Sequence, residues 1–285
     1  MYKYDMPVRT TRAAAVLVLG LAASVGLRAQ QVKPETVHGF ECYIQSAEAR
    51  MDARPQFLIA DSNQPFNDQL VRGRKVQTIL ANGPNPHPVP GGQLYDWIGG
   101  VFIPAVNLER TLRMLQDYDR RAQYFPEILS SSKLQCRTGD NHFGFTMQMK
   151  EPAIIETQND VVWEKVDAKR WRCRSYSTGV REIGKNHGYL HKLYSYWRFA
   201  ETDKGVYVES ETITLSSEFG AFTRALGSML MGINPEKSLK KTLESMRESV
   251  SNKSLQFALP PAGLPACGEP FRPSVCTTIS AFYGR

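Results

Sequence analysis

The sequence predicts an α+β fold in which a run of antiparallel strands is covered by a long C-terminal helix. Apolar residues recur at every second position through much of residues 134–215, and short polar turns separate the runs, which is typical of an antiparallel meander. From residue 234 onward the apolar spacing becomes three or four residues, which indicates a helix. A sheet with one apolar face must be covered, and this amphipathic helix is the obvious cover.

The first 29 residues predict a secretory signal peptide that lies outside the fold. Lys3, Arg9 and Arg12 precede an unbroken run of small apolar residues over 13–23, and Ala29 lies at the expected cleavage site. The apolar run is short for a bilayer-spanning helix, although a single N-terminal anchor is the alternative. We therefore expect an exported protein, periplasmic or secreted, with no further transmembrane segment and with at most transient contact with a membrane surface.

An N-terminal extension precedes the meander. Residues 34–51 predict a helix, since their apolar side chains fall three or four positions apart, whereas 52–73 show no clear period. Strands are predicted over 75–80 and 94–103, and Gly99-Gly100 indicates a bulge in the second strand. Asn107 then caps a helix whose buried face carries Leu108, Leu112 and Leu115.

The meander and the C-terminal helix follow. Its strands are predicted over 134–137, 143–149, 159–166, 171–182, 189–199 and 206–215. An apolar stripe runs through 222–233, and Asn234 and Pro235 then begin the long helix with a cap and a proline in its first turn. Residues 251–285 predict a loosely structured, proline-rich tail.

The five cysteines indicate a disulfide, because an exported chain meets an oxidising environment. None has the CxxC spacing of a zinc or redox site, so no metal is expected. Cys267 and Cys276 lie together in the tail and are the favoured pair, while Cys136–Cys173 is the alternative. At least one thiol is left over in either case.

Seven segments of the chain carry a family resemblance: WIGGVFIP at 97–104, DYD at 117–119, YFP at 124–126, RSYS at 174–177, SYWRF at 195–199, GVYVE at 205–209 and SLKKTLE at 238–244. They resemble the START-like, or SRPBCC, superfamily, in particular the polyketide cyclase/lipid-transport branch of exported bacterial proteins. The resemblance covers over half of the mature chain. It implies a helix-grip fold, in which a curved antiparallel sheet wraps around the long C-terminal helix and leaves a hydrophobic cavity for a lipid or similar molecule.

The same resemblance bears on the site and on the division of the chain. In many relatives a His precedes the Trp of the first strand, whereas Tyr95 and Asp96 stand there in this sequence, so a His-based site is not expected. The expected organisation is a signal peptide over 1–29, an N-terminal helix and strand extension over 30–92, a START-like helix-grip domain over 93–250 and the tail over 251–285.

Two neighbouring strands carry the candidate polar residues of the cavity. A symmetric turn at 202–205 places Arg198 opposite Glu209 and Tyr196 opposite Glu211. These side chains form either a patch that orients a ligand headgroup or a solvated outer face with a weak salt bridge. A one-residue register change exchanges the two faces. The candidate ligand-binding residues are Phe145, Met147, Tyr176, Tyr194, Tyr196, Arg198, Glu209 and Glu211.

The composition and the absence of known motifs exclude some classes of function. The net charge is +7, but basic residues are interspersed with acids and no nucleic-acid motif occurs, so no nucleic-acid partner is expected. The sequence contains neither HExxH nor GxSxG, and no catalytic residue or cofactor is assigned.

These observations predict an exported, non-enzymatic binding or carrier protein for a lipid or other hydrophobic small molecule. One alternative is a cyclase- or hydrolase-type enzyme that uses Tyr, Glu and Arg groups in the cavity for acid–base chemistry. The other is a non-catalytic, partner-binding scaffold with a filled core and an exposed apolar patch.

Overall fold

A computed structural model describes residues 32–137, 142–150, 153–184, 188–218, 234–257, 271–274 and 276. The predicted signal peptide, the apolar stripe over 222–233 and Cys267 lie outside these residues. Helices and strands alternate in the mixed α+β order that the sequence predicts. Within the described part of the chain, no helix has both the length and the apolarity needed to cross a membrane.

The helices and strands are numbered in chain order. The helices are α1 (Pro34–Ala53), α2 (Gln64–Val71), α3 (Leu108–Gln116), α4 (Arg121–Tyr124) and α5 (Pro235–Ser251). The strands are β1 (Gln77–Leu80), β2 (His87–Val89), β3 (Gly92–Pro104), β4 (Ile128–Arg137), β5 (His142–Met149), β6 (Ile155–Lys165), β7 (Arg170–Glu182), β8 (Lys192–Thr202) and β9 (Gly205–Ser217).

The described strands form one antiparallel sheet in the order β1-β3-β9-β8-β7-β6-β5-β4, with β2 paired to the start of β3. Strands β4 to β9 are the predicted meander, each hydrogen-bonded to its neighbour in sequence. Strand β3 returns beside β9, with Gly92 opposite Ser217 and Pro104 opposite Gly205. The extension therefore contributes its own strands to the sheet, and the division at residue 92 stays a prediction.

The sheet has an inner face, which packs against α5, and an outer face, which packs against α1 and α2. The inner-face core contains Val101, Trp163 and Phe199 together with Leu243 and Met246 of α5, all buried. The long helix begins as predicted, because the Asn234 side chain accepts a hydrogen bond from the Lys237 amide and proline follows the cap. A curved sheet that holds this helix is the helix-grip arrangement.

Helix α1 covers the outer face. Its buried side chains Phe40, Ile44, Ala47 and Met51 share one face and pack against outer-face residues of β3, β7, β8 and β9. Helix α2, for which the sequence showed no period, begins at the Asn63 cap, whose side chain accepts from the Phe66 amide. Both faces of the sheet are therefore covered by helices.

Gly99 and Gly100 do not form the predicted bulge. They continue the β3–β9 ladder in register, opposite Ser210 and Glu209. A Cβ on Gly99 would lie 2.7 Å from the Leu243 side chain of α5, and one on Gly100 would lie 2.8 Å from the Phe66 ring of α2. The two glycines therefore allow one helix to approach each face of the sheet, a role that sequence alone does not distinguish from a bulge.

The disulfide joins Cys42 of α1 to Cys276 of the tail, so the predicted Cys267–Cys276 pair is wrong. The alternative Cys136–Cys173 pair is not formed either, because Cys173 is a free, buried thiol. Closeness in sequence suggested the first pair, but a disulfide requires closeness in space. Here the tail returns to α1 and brings the two Cα atoms within 4.8 Å.

Substituting Gly99→Ala should destabilise the fold by about 1–3 kcal/mol, since the added methyl overpacks the contact with α5. Gly179→Ala in β7 is the matched control, because its Cβ would meet neighbours only at 3.4–3.8 Å. Urea unfolding of both variants measures the difference. Equal loss in the two variants would show that helix approach does not require Gly99.

Peptide mapping without reduction should recover Cys42 linked to Cys276, with Cys173 alkylated only after unfolding. The bond closes a loop across 234 residues of sequence. In the chain-entropy model a Cys276→Ser variant therefore loses up to about 5 kcal/mol of stability. A map that links Cys267 to Cys276 would contradict this structure.

Candidate functional site

A cavity of about 230 Å³ lies between the inner face of the sheet and α5. Its described lining comes from the α3–α4 segment, strands β5 to β9 and the first turns of α5. Most of the lining is apolar or aromatic: Leu115, Tyr118, Phe125, Ile128, Phe145, Met147, Met149, Ile155, Val161, Trp163, Leu190, Leu193, Trp197 and Leu239. Such a lining suits an apolar ligand.

Phe145 and Met147, two of the candidate residues, line this cavity from β5. The alternation of β5 directs both to the inner face, where the Phe145 ring stacks on Tyr118 with ring centroids 4.7 Å apart. The other six candidates, Tyr176, Tyr194, Tyr196, Arg198, Glu209 and Glu211, do not line the cavity. They lie on the outer face, beneath α1 and the residues that follow it.

Polar groups gather at the end of the cavity formed by the α3–α4 segment. The Trp163 indole donates a hydrogen bond of 2.8 Å to the Tyr118 hydroxyl, and both residues are buried. Cys173 brings a free thiol into the same lining. Burial raises the pKa of Tyr118 and of Cys173 above their ordinary values, so both groups remain protonated at neutral pH.

Arg121 introduces a cation into this end of the cavity. Its guanidinium carbon lies 4.7 Å from the ring centroid of Tyr118 and 4.8 Å from that of Phe145, and Nη2 donates to the Leu115 carbonyl at 3.0 Å. The Nε atom is buried and has no hydrogen-bond partner among the described residues. Burial lowers the pKa of Arg121. Sequence reasoning assigned this residue no role, and no local pattern distinguishes it from a surface arginine.

Glu127 is the carboxylate among the described lining residues. Its Oε1 accepts a hydrogen bond of 3.2 Å from Thr242 of α5, whereas Oε2 is buried without a partner. No ion pair joins Glu127 to Arg121 among the described residues, so each charge faces the cavity without a counter-ion from these parts of the chain.

The outer face carries a separate charge cluster. The predicted register is confirmed, with Tyr196 opposite Glu211 and Arg198 opposite Glu209. The face is neither the cavity wall nor solvated, because α1 buries it. Arg50 of α1 donates to Glu211 at 2.6 Å and to Asp96 at 3.1 Å.

The residues after α1 complete this outer-face cluster. Arg54 pairs with Glu209 at 2.5 Å, and the Ile59 amide donates to the same carboxylate. Arg198 donates to the carbonyl oxygens of Met51 and Phe57. The cluster therefore fastens the end of α1 and the following turn to β8 and β9.

Two tyrosines of the sheet form further hydrogen bonds to α1. The hydroxyls of Tyr176 and Tyr196 both donate to Glu48, at 2.7 and 3.0 Å, and Tyr194 packs edge-on against Phe40. The signal for this role was present in α1, where the charged residues Glu48 and Arg50 flank the apolar face instead of lying opposite it.

Burial shapes the ionisation of the outer-face carboxylates. It raises the pKa of Glu209 to about 7, against the opposing effect of Arg54. It also raises the pKa of Asp96, and the nearby charge of Glu211 adds to that effect, while Tyr43 and Arg50 oppose it. These carboxylates bind Arg50 of α1 and Arg54 after it, and neither lines the cavity.

The described residues contain one group with the composition of a metal site, formed by His38, Cys42 and Cys276. The two sulfurs are bonded to each other, so His38 alone offers a free ligand atom. In this oxidised state the group does not hold a metal.

Comparison with known proteins concerns the fold. No family model and no curated protein matches the sequence. Solved structures similar to this chain include a STAR-related lipid transfer protein from Xanthomonas axonopodis, at 15% identity and TM-score 0.45, covering 61% of this chain and 98% of that one.

Two further solved structures extend the comparison. Human STARD10 has 10% identity and a TM-score of 0.39, and the match covers 67% of this chain and 80% of that one. The di-domain ARO/CYC StfQ of the steffimycin pathway has 13% identity and a TM-score of 0.41. The match covers 56% of this chain and 52% of StfQ, so this chain spans about half of that protein. The helix-grip arrangement follows from this chain's own sheet and helices, and the chemistry of the cavity follows from its own residues.

A Glu209→Gln variant should weaken the pH dependence of stability. The pKa of Glu209 lies above its ordinary value of 4.5, so the folded state binds a proton that the unfolded state has lost. Unfolding free energy therefore falls as the pH rises from about 4.5 through about 7, by at most about 3 kcal/mol for this group. Urea unfolding at a series of pH values should show a smaller fall in the variant.

Glu164→Gln is the control for this experiment, because Glu164 forms an exposed pair with Arg172 on the same sheet. It should keep the slope of the wild type. The part of the slope that comes from Asp96 remains in both variants. An unchanged slope in Glu209→Gln would contradict a raised pKa at this position.

Proposed function

We propose that this chain is an exported protein that binds or carries a lipid or other hydrophobic small molecule in the cavity beneath α5. The apolar and aromatic lining is the observation that carries the proposal. Met147 and Met149 give the β5 wall flexible side chains that adapt to a ligand. The Cys42–Cys276 disulfide supports an oxidising compartment, in keeping with the signal peptide predicted from the sequence.

The enzyme alternative loses its assigned groups, because Tyr196, Arg198 and Glu211 face α1 rather than the cavity. Among the polar groups that line the cavity, Tyr118 and Cys173 are kept protonated by burial and do not act as general bases at neutral pH. The scaffold alternative requires a filled core, whereas the core beneath α5 contains a cavity.

Native and denaturing mass spectra of the exported, purified full chain test the proposal. A mass present in the native spectrum and absent after denaturation would be the ligand, and its fragmentation would give the chemical class. The denatured mass also reports whether the chain is cleaved near Ala29. The proposal would be contradicted if the native spectrum showed no extra mass and the protein took up no lipid from a panel of lipids.

A cavity-filling variant sharpens this test. Ser175→Phe projects a ring from β7 into the cavity, since Ser175 lines it, and should abolish the extra mass. Thr178→Phe on the same strand is the matched control, because Thr178 is exposed to solvent and should leave the ligand bound. Circular dichroism confirms that both variants fold. Equal ligand occupancy in the two variants would place the ligand elsewhere.

A further inference from the structure

Arg121 is a cation that has no counter-ion among the residues that the structure describes. Its Nε atom is buried, it lines the cavity, and no carboxylate among the described residues lies within ion-pair distance of it. Its neighbours include the Tyr118 side chain, the Phe145 ring, the Cys173 thiol and the Leu115 carbonyl oxygen. Arg50 and Arg54 differ from Arg121, since each of them contacts a carboxylate.

Arg121 is half-buried, and it keeps its charge because the pKa of an arginine is too high for it to lose a proton at neutral pH. Aromatic rings stabilise a guanidinium, but they do not neutralise its charge. Buried charges in proteins are therefore paired, and here the cavity is the space from which a partner can come. Glu127 does not supply the partner, although its carboxylate lines the same cavity.

We infer that the molecule held in the cavity is an amphiphile with an acidic group, a carboxylic acid, that pairs with Arg121. The inference rests on the proposed function, in which the cavity binds an apolar molecule. A guanidinium presents a planar fork of N–H donors that matches the two oxygens of a carboxylate. The apolar remainder of the ligand then lies along Met147, Val161 and Trp197.

The size of the cavity favours a compact acidic group. Its volume of about 230 Å³ lies below the range of about 300–1,000 Å³ that is common for drug-sized ligands. A carboxylate adds little bulk to an apolar chain or ring, whereas a phosphodiester headgroup adds much more. The rings of Tyr118 and Phe145 also enclose Arg121 closely, which restricts the space beside it.

The test compares myristic acid with 1-tetradecanol, which have the same chain length and differ in charge. Trp163 and Trp197 line the cavity, so tryptophan fluorescence of the delipidated full chain reports binding. The wild type should bind the acid at least about tenfold more tightly than the alcohol. Arg121→Met should bind both compounds equally, and Arg121→Lys should recover part of the preference for the acid.

Lys150→Met is the matched control, because Lys150 is an exposed cation at the cavity. It should keep the preference for the acid. Equal binding of the two compounds by the wild type would overturn this inference and leave the proposed function standing. Binding of neither compound would overturn both. Loss of preference in Lys150→Met but not in Arg121→Met would place the acidic group at the mouth of the cavity and overturn the assignment to Arg121.

Stability of the ligand-free protein gives a second readout that does not depend on a probe. If Arg121 awaits an acidic ligand, it is an unpaired charge in the empty protein, and Arg121→Met should raise the urea midpoint of unfolding. Myristic acid should raise the midpoint of the wild type and not that of the variant. A lower midpoint for ligand-free Arg121→Met would make Arg121 a structural residue and overturn the inference.

Discussion

The structure depends on three carboxylates that are buried on the outer face of the sheet. Asp96, Glu209 and Glu211 are at most 6% exposed, and such groups need cations or protons. Arg50 and Arg54 supply the cations, so α1 and the turn after it must lie across β3, β8 and β9. Buried ion pairs add little net stability, but breaking one is costly. Their effect is therefore to specify where α1 lies, which leaves the inner face to α5 and the cavity.

The tail adds a second fastening to the same layer. Cys276 bonds to Cys42 in the first half of α1, and the Phe271 ring lies 5.6 Å from that of Tyr176 and 6.2 Å from that of Tyr194, between centroids. None of the described cavity-lining residues belongs to α1 or to the tail. The outer layer, formed by α1 and the tail, and the cavity therefore lie on opposite faces of the same sheet. The covalently closed outer layer therefore contributes no described residue to the cavity.

Sequence reasoning succeeded where the cause of a structure is local. The caps at Asn107 and Asn234 and the pairing of Tyr196 with Glu211 depend on a few neighbouring residues and a short turn. It failed where the cause is distant in sequence. Period-two alternation tells which residues share a face but not which helix covers that face, so the outer-face residues were assigned to the cavity. The predictions of a bulge at Gly99-Gly100 and of the Cys267–Cys276 disulfide were wrong for the same reason.

Arg121 extends this contrast, because its importance comes from what the described chain does not place beside it. On the outer face the chain supplies both members of each ion pair, and the result is a permanent layer. In the cavity the described residues give Arg121 no counter-ion, and under our proposal an acidic ligand supplies it. Binding and stability are then coupled, since a ligand that binds only the folded state stabilises it in proportion to its occupancy. Under our proposal the protein would therefore be more stable when loaded than when empty, and the same charge of Arg121 would discriminate acidic from neutral ligands.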